Sequence, residues 1–262
     1  MEGGEALLVK IAYDGTKFHG FQYQPNLKTV QGELLRILAK LGQERCPPGA
    51  SRTDRGVHAL GNVVKVYLED GDRVCRIITA NCDGIVAYAY ANVPKNFPVT
   101  KAKERHYRYI LHRSQINDKF EKIIKLFEGI HDFSQFVRGK PKNTLRRINE
   151  INITCSGDFV FVDFYAKSFL WEMIRRIVGS ALILQNEENA EEIILRALDG
   201  EEMDKKYKRT APPNLILMDV KYEEIEFQKA SLGKSVEKIL LKVSNEIFAR
   251  GYLYSEVLRR VL

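Results

Sequence analysis

The chain has 262 residues, and its 45% hydrophobic and 29% charged content excludes an intrinsically disordered protein, because so large an apolar fraction can build a substantial core. Lysine and arginine number 41 against 34 aspartates and glutamates, which gives a formal net charge of +7. This charge favours a polyanionic partner such as nucleic acid, although many basic proteins bind none. No apolar run approaches the roughly 18 residues of a transmembrane span, and the N-terminus does not resemble a signal peptide. We therefore expect a soluble, cytoplasmic protein without a membrane span.

The four cysteines form no CxxC pair and have few histidines near them. Disulfides and a zinc site are therefore both disfavoured. We expect buried, reduced thiols and no bound metal.

Apolar spacing in the first half of the chain predicts strands that alternate with helices. A loop rich in aromatic and amide side chains, residues 18–28, precedes the first helix, and Thr29 is placed to cap that helix. The predicted elements are a strand over residues 6–13, a helix over 30–41, a strand over 62–68, a helix over 72–82 and a strand over 84–92.

The second half repeats this alternation. The predicted elements are strands over residues 104–113, 146–155, 158–166 and 215–222, and helices over 120–127, 169–184 and 188–198. From about residue 223 the chain continues as a tail, mostly helical over residues 228–262, whose apolar face we expect to pack on the body of the protein.

Together these elements predict an α+β protein made of two split βαβ halves. We place the boundary between residues 94 and 101, so that the halves span residues 1–97 and 98–262, the second including the tail. A cleft between two such halves is a natural position for a ligand.

Asp54 is the first candidate for chemistry. It lies between Arg52 and Arg55, and Gly56 follows. Two nearby guanidinium groups would lower the pKa of the carboxyl group, and an ionised carboxylate can act as a nucleophile or a base. The same pattern also fits an aspartate that caps a turn and forms a surface ion pair, so the local residues leave both interpretations open.

The run from Ser51 to Ala59 resembles the G-R-T-D-x-G-V-H-A signature of the TruA family of tRNA pseudouridine synthases. Further motifs of that family are matched in the same order over residues 7–222: Tyr13-Asp14-Gly15-Thr16, Thr29-Val30-Gln31-Gly32, Arg105-x-Tyr107-Arg108-Tyr109, Gly129-x-His131-Asp132-Phe133, Phe169-Leu170-x-x-Met173-Ile174-Arg175 and Ala211-Pro212-Pro213. Two positions depart from the pattern, because Ser51 and Asn214 stand where glycine is usual.

The resemblance implies a pseudouridine synthase fold, with two ferredoxin-like halves around a mixed or antiparallel central sheet and a cleft between them. It also implies an isomerase that acts on tRNA without a metal or other cofactor. The family acts on the anticodon stem-loop, around positions 38 to 40, and forms homodimers, and we expect both here.

Four catalytic assignments follow from the resemblance. Asp54 is expected to attack the target uridine, and Arg52 to help displace the base from its stack, which a duplex base must leave before it can react. Tyr107 is expected to stack on the uracil and to take part in proton transfer. The family's arginine that pairs with the catalytic aspartate matches Arg175.

Helical geometry supports the choice of Arg175 over Arg176. At 100° per residue, Arg175 falls at the edge of the apolar face of the predicted helix 169–184, whereas Arg176 falls nearly opposite that face. A buried arginine needs a partner, so we expect Arg175 to pair with Asp54 and Arg176 to be solvated or to contact phosphate.

The remaining side chains that we expect to bind substrate are Phe21, Gln22, Gln24, Arg55, His58 and Arg105. Aromatic rings and amides in the loop after the first strand suit single-stranded RNA, which is recognised by stacking and by hydrogen bonds to base edges. His58 is also expected to hold its own loop by hydrogen bonds.

Two other functions remain open from the residues alone. A non-catalytic RNA-binding protein would use the basic and aromatic surface but would not need Asp54. A carboxylate-dependent hydrolase would need a second carboxylate as an acid–base partner, and none lies beside Asp54 in the sequence.

Overall fold

A computed structural model describes residues 5–234 and the single positions 241, 257 and 260. The strands are β1 (Glu5–Tyr13), β2 (His58–Val66), β3 (Ile85–Pro94), β4 (Glu104–His112), β5 (Gly129–Asp132), β6 (Leu145–Ser156), β7 (Phe159–Ala166), β8 (Leu215–Lys221) and β9 (Gln228–Lys229). The helices are α1 (Val30–Ala39), α2 (Gly71–Asn81), α3 (Phe120–Lys125), α4 (Met173–Leu184) and α5 (Ala190–Leu198).

All the described strands belong to one nine-stranded sheet, in the order β5-β6-β7-β4-β8-β2-β1-β3-β9. Strand β1 lies between β2 and β3 and is antiparallel to both. Strand β4 lies between β7 and β8, again antiparallel to both. The two groups of strands join where β2 pairs with β8 in parallel. The predicted α+β fold with a mixed central sheet is confirmed.

Each group of strands has the split βαβ arrangement that the sequence predicts. In the second group, β4, β6, β7 and β8 form the order β6-β7-β4-β8, with α3 after β4 and α4 after β7. In the first group, the strand that would follow α1 is reduced to a single bridge between Gly49 and Val64. The chain then continues as an irregular segment, residues 51–57, which carries Asp54.

Buried and partly exposed side chains alternate along β4, and this pattern shows which of them face the interior. Arg105, Tyr107, Tyr109 and Leu111 are buried, while the residues between them are partly exposed. A strand with this pattern has one covered face, because successive side chains point to opposite sides. The covered face of β4 therefore directs Arg105 and Tyr107 towards the segment that carries Asp54.

Most predicted elements are confirmed to within a few residues, and Thr29 caps α1 by accepting the Gly32 N–H at 3.1 Å. The structure departs from these expectations at three places. Strand β2 begins at His58 and not at residue 62, strand β5 was not predicted, and residues 228–229, at the start of the tail expected to be mostly helical, form β9. The predicted apolar face of the tail lies outside the described residues.

Helix α4 begins at Met173, four residues later than predicted. The reason is Glu172, whose backbone is left-handed (φ 59°, ψ 7°) and so cannot belong to a right-handed helix. Residues 169–172 therefore form a turn, in which the Met173 N–H donates to the Leu170 carbonyl at 3.1 Å. The side chains of Phe169 and Trp171 are therefore carried by this turn and not by α4.

The four cysteines are free thiols. Cys75 and Cys82 are buried as expected, but Cys46 is half-buried and Cys155 is exposed, so the expectation that all four are buried is wrong. No helix within the described part of the chain has the length and apolar character needed to cross a membrane.

Helix α4 is held in place by a close backbone contact at Gly179. A Cβ atom at this position would lie 2.4 Å from the Arg209 carbonyl oxygen. The irregular segment beyond Arg209 continues to Ala211, whose N–H donates to the Arg175 carbonyl at 2.9 Å. Gly179 therefore lets the segment approach α4 closely enough to fix the first turns of the helix.

We predict that Gly179→Ala lowers the free energy of unfolding by about 1–3 kcal/mol, the usual range for overpacking in a well-packed interior. Chemical denaturation monitored by circular dichroism measures this change. Ser180→Ala is the matched control: the Ser180 hydroxyl is buried and has no hydrogen-bond partner among the described residues, so its removal should leave stability unchanged or slightly higher. Equal losses in both variants would contradict the account of Gly179.

Candidate active site

A cleft of about 810 Å³ opens beside the Asp54 segment. Its walls are the loop 19–24, the segment 49–57, the covered face of β4 and the turn that leads into α4. Asp54, Arg52, Tyr107 and Arg175 all line it, so residues that are far apart in the sequence meet at one site.

Asp54 has a partner for each of its carboxylate oxygens. The Trp171 Nε1–H donates to Oδ1 at 2.9 Å, and Arg175 Nη1 lies 3.7 Å from Oδ2. The expected contact between Arg175 and Asp54 is confirmed. The longer distance to Arg175 is that of an ion pair without a direct hydrogen bond, so Trp171 supplies the shorter contact.

Burial raises the pKa of Asp54 above its ordinary value, and this effect outweighs the others. The Trp171 hydrogen bond and the charges of Arg175 and Arg138 lower the pKa of Asp54, while the nearby charge of Glu172 raises it. Asp54 is thus a carboxylate that has lost much of its water but keeps three groups that favour its ionised form.

The expectation that Arg52 and Arg55 lower the pKa of Asp54 is wrong. Both arginines are exposed, the intervening Thr53 is buried, and neither arginine is among the groups that shift the carboxyl. The cause is the irregular, non-helical backbone, along which neighbouring side chains point in different directions. The positive charge that reaches Asp54 comes from Arg175 on α4 and from Arg138.

Arg175 is oriented by a second bond. Its Nε donates to the Ala211 carbonyl at 2.9 Å, which leaves Nη1 directed towards Asp54. Because the Ala211 N–H also bonds to the Arg175 carbonyl, the side chain and the backbone of this arginine are attached to the same segment. Such an arrangement limits the positions that the guanidinium can take.

Glu172 is a second carboxylate near Asp54, and sequence reasoning missed it. Arg176 binds one of its oxygens through Nε and Nη2, at 3.2 and 3.0 Å. Arg138 and Arg175 approach the other oxygen at 3.3 and 3.8 Å. Arg176, expected to be solvated or to contact phosphate, is instead engaged by Glu172.

Arg105, which we expected to bind substrate, is a buried residue at the wall of the cleft and bonds within the protein. Its Nε donates to the Ser51 hydroxyl at 2.9 Å, and its Nη2 donates to the carbonyls of Ala50 and Thr100 at 2.7 and 2.9 Å. Nη1 donates to the Lys167 carbonyl. With its donors occupied inside the protein, Arg105 ties the Asp54 segment to β4.

Ser51, which stands where the family signature has glycine, belongs to this same network. Its hydroxyl accepts from Arg105, and its backbone N–H and carbonyl bond to the Asn62 side chain at 3.3 and 2.9 Å. Asn62 also donates to Tyr13 Oη, which bonds to Thr53 Oγ1 at 2.8 Å. A buried polar network therefore lies beneath the segment that presents Asp54.

Tyr107 is buried on the floor of the cleft. Its ring packs edge-on against Phe169, with the centroids 5.3 Å apart. Burial raises the pKa of Tyr107, and a hydrogen bond with the Ser51 side chain opposes that effect. The hydroxyl therefore stays protonated at neutral pH and can act as a donor.

The other expected substrate contacts divide into three groups. Gln22, Gln24 and Arg55 are exposed at the cleft and are available to a ligand. Phe21 is only 1% exposed and packs over Gly49, so it cannot offer a free ring to RNA. His58 lies outside the cleft lining, where its Nδ1 accepts from the Gly15 N–H at 3.3 Å.

The contacts of His58 and Phe21 within the protein give both side chains a structural role. The loop-holding role that we expected of His58 is confirmed by its contacts with Gly15 and with Asp14, whose Oδ1 lies 3.4 Å from the ring. Within the described residues, no group of three or more His, Cys, Asp and Glu side chains is arranged to hold a metal ion.

Comparison with known proteins gives one consistent result. A family model described as tRNA pseudouridine synthase matches residues 123–223. A protein named tRNA pseudouridine synthase A from Pyrococcus furiosus is 42% identical over 240 residues, which cover 88% of this chain and 90% of that protein. Proteins of the same name from Methanothermobacter thermautotrophicus and Pyrococcus horikoshii are 41% and 39% identical, covering 82% and 94% of this chain and 81% and 96% of their own lengths.

The assignment of Arg105 to the interior can be tested through stability. We predict that Arg105→Met lowers the free energy of unfolding by about 3 kcal/mol, because several buried carbonyl acceptors lose a charged donor. The matched control is Arg52→Met, an exposed arginine at the same cleft, for which we expect a change of about 0.5 kcal/mol or less. Urea denaturation of both variants gives the comparison, and an unchanged midpoint for Arg105→Met would contradict the structural role.

Proposed function

We propose a function on the basis that the chain belongs to the tRNA pseudouridine synthase family, whose members are isomerases that convert uridine to pseudouridine in tRNA. Asp54 is the nucleophile. The targets are uridines of the anticodon stem-loop, around positions 38 to 40. The observation that carries the nucleophile is the partly buried Asp54 carboxylate, held at the cleft by Trp171 and Arg175.

The chemistry needs one carboxylate and no net change in composition. Asp54 attacks C1′ of the target ribose, so a C1′–O bond forms as the bond from C1′ to N1 breaks, and the electron pair leaves with the uracil. The uracil then turns, its C5 attacks C1′, and the carboxylate leaves. Loss of the C5 proton and gain of a proton at N1 complete the isomerisation.

Each partner of Asp54 contributes to the first step. A carboxylate reacts as a nucleophile only in its ionised form, and the Trp171 N–H and the Arg175 charge both lower the pKa that burial raises. Removal of water also strengthens the attraction between Asp54 and Arg175, since the local dielectric is lower than in bulk solvent.

Tyr107 and Arg52 are suited to hold the displaced base. Tyr107 lies on the cleft floor with its hydroxyl protonated, so it can stack on uracil and donate a proton or a hydrogen bond. Arg52 is exposed at the cleft, where a planar guanidinium can occupy the gap that a flipped base leaves. Gln22, Gln24 and Arg55 offer further contacts to RNA.

The hydrolase alternative gains a second carboxylate in Glu172, but its surroundings do not suit acid–base work. Three guanidinium groups contact Glu172, so both of its carboxylate oxygens are engaged within the protein. A general acid or base must instead be free to reach the proton that it transfers. The RNA-binding alternative leaves unexplained why a carboxylate is partly desolvated at the centre of the cleft.

Three further features belong to the same proposal. Lysine and arginine exceed the acidic residues by 41 − 34 = 7, which suits a tRNA partner. We also propose a homodimer in the cytoplasm, and two structural halves that meet near residues 97 and 98.

We predict that Asp54→Asn abolishes isomerisation, with a fall in turnover on the order of 10⁴-fold or more, as when other enzymes lose a nucleophile. Release of the C5 hydrogen from labelled uridine in tRNA measures turnover. Binding of tRNA should survive, because the surface contacts are unchanged. Turnover within tenfold of the parent protein would reject Asp54 as the nucleophile.

The pH dependence gives a second prediction. Activity requires ionised Asp54, so the rate falls as the pH drops through the pKa of Asp54, and that pKa lies above the ordinary 3.8 because burial raises it. Single-turnover rates at saturating enzyme, measured across pH, should show an acid limb centred above 3.8. A limb centred at or below 3.8 would contradict the desolvated site.

A further inference from the structure

Trp171 is the chain's single tryptophan, and 54% of its surface is exposed at the mouth of the cleft. The part of this apolar ring that stays in contact with water gains no stabilisation from burial in the fold. Trp171 also stands at one of the two unspecified positions of the motif Phe169-Leu170-x-x-Met173. Its exposure therefore calls for a partner that is absent from the folded chain itself.

Two contacts hold the ring in its exposed position. The indole N–H donates to Asp54 Oδ1 at 2.9 Å, and the Arg138 guanidinium lies over the ring, 4.5 Å from its centroid. The backbone N–H of Arg138 also donates to the backbone carbonyl of Trp171 at 3.0 Å. The indole edge is thus directed at the candidate nucleophile while much of the ring remains uncovered.

The backbone beside Trp171 is strained, which indicates that the orientation of the ring is maintained at a cost. Glu172 adopts a left-handed conformation, which is unfavourable at a non-glycine residue and persists only where its surroundings hold it in place. Here Arg138, Arg175 and Arg176 hold the Glu172 side chain. A helix that began at residue 169 would not need this conformation.

We propose that Trp171 is a substrate-contacting residue: its exposed ring, backed by Arg138, stacks on a nucleobase that adjoins the target uridine, and its N–H keeps Asp54 ionised and oriented. The inference rests on the proposed function, because it assumes that RNA enters this cleft. It adds a subsite for a neighbouring nucleotide. Trp171 would contact that nucleotide through its ring and the nucleophile Asp54 through its N–H.

The chemistry of stacking suits this position. Every nucleobase has a flat π face, so an aromatic platform contributes to binding with little regard to base identity. A guanidinium that stacks on the far side of the ring adds a cation–π interaction and places positive charge near the RNA backbone. Trp171 with Arg138 therefore selects for an unpaired or splayed base, of the kind present in a hairpin loop.

Two substitutions separate the two roles of Trp171. Trp171→Phe keeps a stacking ring but loses the N–H, so RNA affinity should stay within about threefold, while the acid limb of the rate profile moves to higher pH. Trp171→Leu loses both, so the limb should move in the same direction and affinity for an anticodon stem-loop RNA should fall by about 5- to 150-fold, the range for loss of one stacked base.

The matched control is Phe159→Leu, which removes a ring that is 42% exposed on β7, away from the cleft. This variant should bind RNA and turn over as the parent does, and circular dichroism establishes that all three variants are folded. Unchanged RNA affinity in Trp171→Leu would overturn the stacking role. An acid limb that stays in place in Trp171→Phe would overturn the role of the N–H.

Failure of this inference is distinguishable from failure of the proposed function. If the parent protein forms pseudouridine but Trp171→Leu binds RNA normally, the proposed function stands and the stacking role falls. If the parent forms no pseudouridine but stem-loop RNA quenches its single tryptophan and Trp171→Leu loses affinity, the stacking subsite stands and the catalytic proposal falls.

Discussion

The site depends on keeping one carboxylate partly out of water without neutralising it. Asp54 meets this constraint through the Trp171 N–H on one oxygen and the Arg175 guanidinium near the other. Both partners come from the turn and first helical residues of α4, across the cleft. The parallel pairing of β2 with β8, the close approach at Gly179 and the late start of α4 all act to bring these groups together.

The segment that carries Asp54 is irregular and so needs support from elsewhere. Arg105 on β4 binds the Ala50 carbonyl and the Ser51 hydroxyl, and Asn62 on β2 binds the Ser51 backbone. Ser51 is not among the residues with positive φ, so a side chain is accommodated there without backbone strain. Its hydroxyl adds a buried acceptor that a glycine could not offer, which accounts for its presence in this chain.

The sequence motifs identify the family, and the spacing of apolar residues predicts most elements, because both can be read from the residues themselves. The contact between Arg175 and Asp54 follows from the resemblance to that family, and helical phase supports Arg175 over Arg176. The position of Trp171 at the site was not predicted, because nothing in the predicted helix 169–184 indicates that Glu172 is left-handed and ends a turn before α4. Arg105 and Phe21 were assigned to RNA, since burial depends on tertiary neighbours such as Ser51 and Gly49. The prediction that Arg52 and Arg55 lower the pKa of Asp54 was wrong for a similar reason. Arginines that are adjacent to Asp54 in the sequence do not place their charges beside its carboxylate.

The most direct test of this account uses Trp171 as a reporter of Asp54. Because the chain has one tryptophan and its N–H contacts the carboxylate, protonation of Asp54 should change the indole fluorescence. Over the pH range in which circular dichroism shows a folded protein, we predict a transition centred above 3.8 that disappears in Asp54→Asn. A flat titration in the parent protein, or the same transition in both proteins, would contradict the claim that this buried carboxylate is held by Trp171.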